Sequence, residues 1–213
     1  MQMDAGSLER ELKFVAAGTG FPPLPPGYSL GTGTTLHLTD EYLADAAGEI
    51  EASGFDLRRR SDAGGRVRYA LKGRDAFVAP GVAARREIEA EAMGDGLPPA
   101  ILAALAEGGC TAVAGNAPLL VRATLRQERT AAPLSLDGKV LATMSIDRVA
   151  LAEAGVAWNE LEIEFLPTLS AEEVARESAR LTGWIATLDG YLPSEGSKAD
   201  RARDLLRAGG SSD

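Results

Sequence analysis

Ser7-Leu8-Glu9-Arg10-Glu11-Leu12-Lys13-Phe14-Val15 is the stretch from which the rest of the chain is read. Leu8, Leu12 and Phe14 alternate with Glu9, Glu11 and Lys13, and side chains two apart on a strand share a face. Residues 7–15 therefore read as a strand with one apolar face and one charged face. The pattern returns late in the chain, where Glu160, Glu162 and Glu164 interleave with Leu161, Ile163 and Phe165. Between these two strands lie further charged sets at even spacing: Arg58/Arg60, Arg66/Arg68/Lys72 and Glu87/Glu89/Glu91.

Two readings fit such strands. The ordinary one is an antiparallel sheet with one solvated face. Against it, a triplet of glutamates on one face repels itself, and the acidic strands are segregated from the basic ones. If the sheet closes into a barrel with its charged face inward, the carboxylates can hold Mg²⁺ or Mn²⁺ and the Arg/Lys set can hold phosphates. A divalent ion would also relieve the crowding of like charges. Spacing alone leaves both readings open.

Working outward, Gly18 to Gly33 is a loop rich in proline and glycine, and Thr34 to Tyr42 is extended. Ala44 to Ser53 reads as a short helical or turn segment ending at Gly54. Phe55 to Arg60 and Arg66 to Lys72 read as a hairpin around Asp62-Ala63-Gly64-Gly65. Val82 to Met93 is a strand, and Pro98 to Glu107 is a helix that opens on proline and stops at Gly108. Thr111 to Thr130 reads as extended. Lys139 to Leu151 follows an Asp137-Gly138 turn, and Asn159 to Leu166 is the last strand. Ser170 and Glu173 form a capping box for a helix to about Leu188. A second amphipathic helix spans Lys198 to Arg207, followed by a polar tail. The expectation is an α+β fold in one domain over residues 1–213, with its core over 7–198.

The composition narrows the function. There are 22 Lys+Arg against 31 Asp+Glu, a net charge of −9. Nucleic-acid and anionic-membrane partners, which call for a basic surface, are not expected. No run approaches the roughly 18 apolar residues of a membrane helix, and residues 1–13 lack the pattern of a secretory leader. Cys110 has no partner for an internal disulfide, which suits a reducing cytoplasm. His37 is the only histidine, which removes His-rich zinc sites and disfavours a Ser-His-Asp triad. The fragments Gly18-Thr19-Gly20 and Gly31-Thr32-Gly33 lack the third glycine or the lysine of a nucleotide loop. Trp158, Trp184 and Tyr191 are too scattered for a base-stacking platform.

Glu9-x-Glu11-x-Lys13 resembles the signature of the CYTH domain, in the triphosphate tunnel metalloenzyme superfamily, and further matches follow in order to Lys198. Tyr42, Ile50, Gly54, Leu57, Arg58 and Arg60 resemble the family's Tyr-x-Asp-Thr…Leu…Gly…Leu-Arg-x-Arg block. Ala44-Asp45 stands where Asp-Thr is usual, which puts a local turn or supporting contact in question. Ala70-Leu71-Lys72 resembles the next strand's terminal lysine, and Arg86-Glu87-Ile88-Glu89 the central Arg-x-x-Glu or Arg-Glu-x-Glu strand. Leu125 to Thr130 resembles the strand with a phosphate-binding arginine. Arg126 and Arg129 both qualify there, and their spacing of three puts them on opposite faces. Ser145-Ile146-Asp147, Leu161-Glu162-Ile163-Glu164 and Ser194 to Ala199 resemble the remaining segments, the last bringing Lys198 back to the tunnel.

The resemblance implies an antiparallel eight-stranded β-barrel, a tunnel, with flanking helices. It implies Mg²⁺- or Mn²⁺-dependent hydrolysis of short triphosphates, with inorganic triphosphate as the first substrate. Class IV adenylate cyclase, thiamine triphosphatase and a non-catalytic polyphosphate-binding module remain as alternatives. Lys13, Arg58, Arg60, Lys72, Arg126 or Arg129, and Lys198 would bind phosphate oxygens. Glu9, Glu11, Glu87, Glu89, Asp147, Glu162 and Glu164 would line the opposite wall, with Glu9, Glu11, Glu162 and Glu164 chosen as metal ligands. Glu9, Glu11 and Lys13 are the catalytic candidates. The implied partner is a triphosphate or polyphosphate ligand, and a homodimer is left open. The segment from Ser194 to Lys198 is expected to be a mobile closure ordered by substrate.

Overall fold

The computed structural model describes residues 7–73, 76–79, 82–92, 94, 96–115, 117–194 and 196–209. Eight antiparallel strands close into a barrel in the order β1 (Ser7–Ala16), β10 (Val156–Phe165), β9 (Lys139–Leu151), β8 (Leu119–Leu136), β3 (Thr34–Asp45), β4 (Phe55–Asp62), β5 (Val67–Gly73) and β7 (Val82–Glu91). β7 returns to pair with β1, from Ser7↔Glu87 to Leu12↔Val82, and this pairing closes the ring. Short strands β2 (Tyr28–Leu30), β6 (Ala76–Ala79) and β11 (Tyr191–Pro193) attach to β8, β7 and β1. The described helices are α1 (Glu49–Ala52), α2 (Pro99–Glu107), α3 (Thr111–Ala114), α4 (Ala171–Ile185) and α5 (Lys198–Gly209). This is the α+β barrel with flanking helices that the sequence led us to expect.

Alternation explains which way each strand faces. On β1, Leu12 and Phe14 point outward into an apolar layer with Met144, Ile146, Leu161 and Ile163, which Val174, Leu181 and Ile185 of α4 cover. On the other side, Leu57, Tyr69 and Leu71 point outward against Ile50, Ile101, Leu105, Cys110 and Val113 from α1, α2 and the start of α3. Helices thus bury the outer apolar faces, and the charged faces are left to the inside. Towards one end the inner face turns apolar. Leu125, Val149, Leu151 and Trp158 pack there with Ala202, Leu205 and Leu206 of α5. That helix closes one end of the barrel.

Several local expectations hold. Ser170 accepts the Glu173 N–H while Glu173 accepts the Ser170 N–H, so α4 begins in the expected capping box. Asp137 and Gly138 both have positive φ (49° and 83°), as a two-residue hairpin turn between β8 and β9 requires. Asp45, at the unusual Ala44-Asp45 pair, accepts the backbone N–H of both Glu49 and Ile50 at 3.0 Å. The local turn is therefore supplied by this carboxylate at the start of α1.

Residues 111–130 differ from expectation, since they are not one extended run. Thr111–Ala114 is the short α3, and β8 begins only at Leu119. Burial of Cys110 and Val113 in the second apolar layer outweighs the local β preference. The Glu49 carboxylate also accepts the Ala112 N–H, which holds the turn in place. β3 runs on to Asp45 because its pairing with β8 extends that far. Edge strands β2, β6 and β11 are too short for alternation to reveal them. Residues 1–6 and most of the expected polar tail, 210–213, lie outside the described residues.

Candidate active site

The inner face is a charged cavity of about 230 Å³, lined by Glu9, Glu11, Lys13, Arg58, Arg60, Lys72, Arg85, Glu87, Glu89, Arg129, Glu162, Glu164 and Lys198 among others. Strand register brings its acidic part together. Glu11 is the cross-strand partner of Glu164, Lys13 of Glu162, and Glu9 of Arg85. Three carboxylates from two adjacent strands, Glu9, Glu11 and Glu164, are thereby neighbours.

They differ in environment. Burial opposes ionisation of Glu9, but Lys72 and Arg85 outweigh it and hold its carboxyl well below the usual carboxylate range. Arg85 Nε donates to Glu9 at 2.6 Å, and Lys72 Nζ lies 3.2 Å away. Glu11 is only 3% exposed. Burial pushes its carboxyl up, and Glu9 and Glu162 push the same way, although Lys13 pairs with it at 3.0 Å. Glu164 is the most open to solvent of the three. The enclosing walls, then Glu9 and Glu11, push it up to about 7.

The basic wall is organised by a different carboxylate. Asp40 on β3 accepts from Arg60 Nε at 2.6 Å and Nη2 at 2.7 Å, and from Gln127 Nε2 at 2.6 Å. Arg58 is bound less closely, at 3.6 Å from Asp40, 3.8 Å from Glu87 and 3.9 Å from Glu89. Its Nε is buried without a hydrogen-bond partner. Lys72 pairs with Glu87 at 3.0 Å, and burial together with Arg85 and Arg58 pulls its ammonium down.

The closed end carries a third cluster. Arg129 donates to Asp147 at 2.7 and 2.5 Å and to Glu162 at 2.6 Å. Lys198, at the first position of α5, lies 2.9 Å from Asp147, 3.1 Å from Glu160 and 2.5 Å from Glu162. These carboxylates raise its ammonium well above the usual range despite burial. Trp158 Nε1 donates to Glu160 at 2.6 Å. Lys198 is thus seated in the wall of the cavity, and of the mobile closure expected for residues 194–198, Glu195 lies outside the described residues.

Of the site residues read from sequence, Glu9, Glu11, Lys13, Arg58, Arg60, Lys72, Glu87, Glu89, Arg129, Glu162, Glu164 and Lys198 line this cavity. Asp147 is fully buried behind it, against Arg129 and Lys198. Arg126 lies on the outer face, beside His37, Thr39 and Glu128, so Arg129 is the inward member of that pair. Arg86 also lies outside, near Phe55 and Gly108. Arg85 takes the inward place in its stead. Asp40, Arg85 and Gln127 were missed: Arg85 shares strand parity with Glu87, which was read as inward, whereas Gln127 shares it with Arg129, one of two candidates left open, and Asp40 with Tyr42, which was assigned to neither face.

The donors are hard carboxylate oxygens, the chemistry that suits Mg²⁺ or Mn²⁺. Among the described residues no three acidic side chains already stand at coordinating spacing, because Arg85 lies between Glu9 and Glu11.

No family model and no curated protein matches the chain. Solved structures do. A Hippeastrum protein, provisionally assigned as an adenylyl cyclase and described as having a dominant triphosphatase activity, superposes with a TM-score of 0.60 at 20% identity, covering 92% of this chain and 95% of its own. A protein from Vibrio parahaemolyticus, provisionally assigned as an adenylate cyclase, gives a TM-score of 0.54 at 13% identity over 95% and 99% of the two chains. The chain shares the closed antiparallel barrel fold of these proteins. A Pyrococcus horikoshii protein superposes with a TM-score of 0.53, at 17% identity over 94% and 99% of the two chains. No helix among the described residues is long and apolar enough to cross a membrane.

Proposed function

We propose that this chain is a metal-dependent hydrolase of short triphosphates, with inorganic triphosphate as its first substrate. The observation that carries the reading is Arg58. It is a buried guanidinium with a free Nε and only long ion pairs, facing a cavity with carboxylates on the opposite wall. A buried cation so loosely compensated is costly unless an anion completes it. The dominant triphosphatase activity described for the Hippeastrum protein agrees with it.

Arg58, Arg60, Lys72, Arg129, Lys13 and Lys198 would bind the phosphate oxygens and cancel the charge that grows on them as the anhydride bond breaks. Glu9, Glu11 and Glu164 would hold the divalent ion, which when bound would supply Lewis-acid withdrawal and a more acidic water. Glu162 and Asp147 would serve chiefly to hold Arg129 and Lys198 in position, since both are taken up by those cations. No side-chain nucleophile is needed, and a preset array of charges spares the reorganisation that water would require.

Inorganic triphosphate is preferred over a nucleotide or thiamine triphosphate on the character of the lining. Tyr42 is the only aromatic side chain on the cavity wall among the described residues, so no platform for an organic ring is in view. The volume of about 230 Å³ also falls below the roughly 300–1,000 Å³ of sites that enclose drug-sized organic ligands. The test is phosphate release from inorganic triphosphate, ATP and thiamine triphosphate with Mg²⁺, Mn²⁺ or EDTA. The fastest release is expected from inorganic triphosphate with either metal, and none with EDTA. Equal rates in EDTA, or a clear preference for ATP, would refute the reading.

A further inference from the structure

Arg85 bridges the two glutamates of the first strand. Its Nε donates to Glu9 at 2.6 Å and its Nη2 to Glu11 at 3.1 Å, reaching across from β7, where it is the cross-strand partner of Glu9. The side chain is 8% exposed, so the bridge is shielded from solvent. Glu164, the third carboxylate of the group, has no cation within pairing distance among the described residues. A guanidinium is always charged, and its planar fork matches carboxylate oxygens. Here it uses oxygens of both Glu9 and Glu11, which a hard divalent ion would also need. Two cations cannot crowd onto those atoms without strong repulsion.

We propose that Arg85 occupies the metal position in the metal-free protein and is expelled from it when the divalent ion enters. Metal loading is then an exchange, +2 for +1 on the same pair of carboxylates. The released guanidinium remains in the cavity beside Lys72 and Arg58, on the wall that faces the phosphates. One side chain thereby couples the two ligands. The ion frees Arg85 for the triphosphate, and the triphosphate, by drawing Arg85 away, favours the ion, a reciprocal linkage. Without metal, Arg85 is engaged with the glutamates and the phosphate wall lacks one cation.

This inference rests on the metal reading proposed above, and the experiment separates the two. In the full chain with ¹⁵N-labelled arginine, the Arg85 Nε–H signal is assigned by its loss in Arg85→Lys and followed as Mg²⁺ is added without phosphate. It should shift and exchange faster with water as the ion saturates. Mn²⁺ affinity, read from the electron spin resonance of the free ion, should rise at least tenfold in Arg85→Ala, about 1.4 kcal/mol. Lys13→Ala removes the same charge from 3.0 Å beside Glu11 but should gain less than threefold. Glu164→Gln should weaken Mn²⁺ and leave the metal-free Arg85 signal in place. If Mn²⁺ binds and Glu164→Gln weakens it, yet the Arg85 signal stays fixed or Arg85→Ala gains no more than Lys13→Ala, the exchange is wrong and the metal reading stands. If no variant binds Mn²⁺, both fall. Should Arg85→Ala fail to fold, the wild-type titration alone decides.

Discussion

Asp40→Asn should be among the most destabilising single changes in the tunnel. Asp40 is fully buried and carries both bonds to Arg60, the bond to Gln127 and the longer contact to Arg58. Burial alone would raise its pKa, but Arg58 and Arg60 hold it well below the usual carboxylate range. Asparagine keeps the shape and removes the charge, leaving the buried Arg60 without its carboxylate and Arg58 with only the long contacts to Glu87 and Glu89. Removing one partner of a buried ion pair costs about 3–5 kcal/mol. For a chain of this length about 1 kcal/mol moves the melting temperature by roughly 2–4 °C, so a fall of about 6–20 °C is expected at pH 7. The sign with pH follows from the lowered pKa. The Asp40 contribution is complete above the unfolded value of about 4 and is lost as pH falls through the lower folded value. The gap between wild type and variant should therefore persist from pH 8 to 5 and narrow only in acid. Added triphosphate without metal should raise the variant's melting temperature more than the wild type's, because its charge replaces the missing carboxylate. The assay is a calorimetric melt of both proteins across that range, with and without triphosphate. A fall below about 2 °C, within the scatter of surface substitutions, or equal protection by triphosphate would refute the account of Asp40 as the organiser of the basic wall.

Three further outcomes are expected. Because the folded state raises the pKa of Glu164 to about 7, metal-free stability is lost as pH rises from the unfolded value of about 4.3 through that point; melts in EDTA at pH 5 and 8 should show a smaller loss for Glu164→Gln than for wild type. Arg129→Ala should cost about 3–5 kcal/mol by leaving Asp147 and Glu162 short of a cation, while Arg126→Ala should stay within about 0.5 kcal/mol; urea titrations distinguish them, and the reverse order would overturn the inward placement of Arg129. Amides of α5 should exchange slowly in the wild type without ligand and at least tenfold faster in Lys198→Ala; exchange in the wild type that slows only when triphosphate and metal are added would restore the mobile closure.

The strands were legible because they carry their instructions locally, while their closure into a barrel was what the resemblance to the CYTH family implied. From Glu160 to Phe165 of β10 the charged and apolar residues alternate without a break, and over Leu8 to Phe14 of β1 only Arg10 interrupts the alternation, so the two faces of each strand follow from a single period. α4 announced itself by Ser170 and Glu173. What failed to show was decided elsewhere in the chain: α3 forms because Cys110 and Val113 have a core to enter, and β11 exists because β1 has an open edge over Phe14 to Ala16. In the site, parity was the signal that went unused. Arg85 and Arg86 are adjacent, and only their spacing from Glu87 and Glu89 says that Arg85 turns inward. The structure puts Gln127 and Arg129 on the inner face and Arg126 on the outer one, a choice that parity within residues 125–130 leaves open. Asp40 shares parity with Tyr42, which the sequence assigned to neither face, and nothing local distinguishes a buried organising aspartate from a solvated one.

The inner charges also bear on what form the ligand takes under the proposed function. Most cations of the tunnel already have a close carboxylate: Arg60 has Asp40, Lys13 has Glu11, Lys72 has Glu87, and Arg129 and Lys198 share Asp147 and Glu162. Arg58 is the one with only long contacts, and Glu164 is the carboxylate without a pairing cation among the described residues. A bare triphosphate would thus enter a cavity that is close to neutral, inside a chain of net charge −9, and would gain little from the field as a whole. With a divalent ion beside it the balance changes at both ends together. The ion meets Glu164 and the freed Glu9 and Glu11, and the polyanion meets Arg58 and the freed Arg85. Binding of the metal–triphosphate pair should therefore weaken less with added salt than binding of triphosphate alone, since the pair carries less net charge to be screened; equal salt dependence of the two would argue that the ion and the polyanion are bound independently.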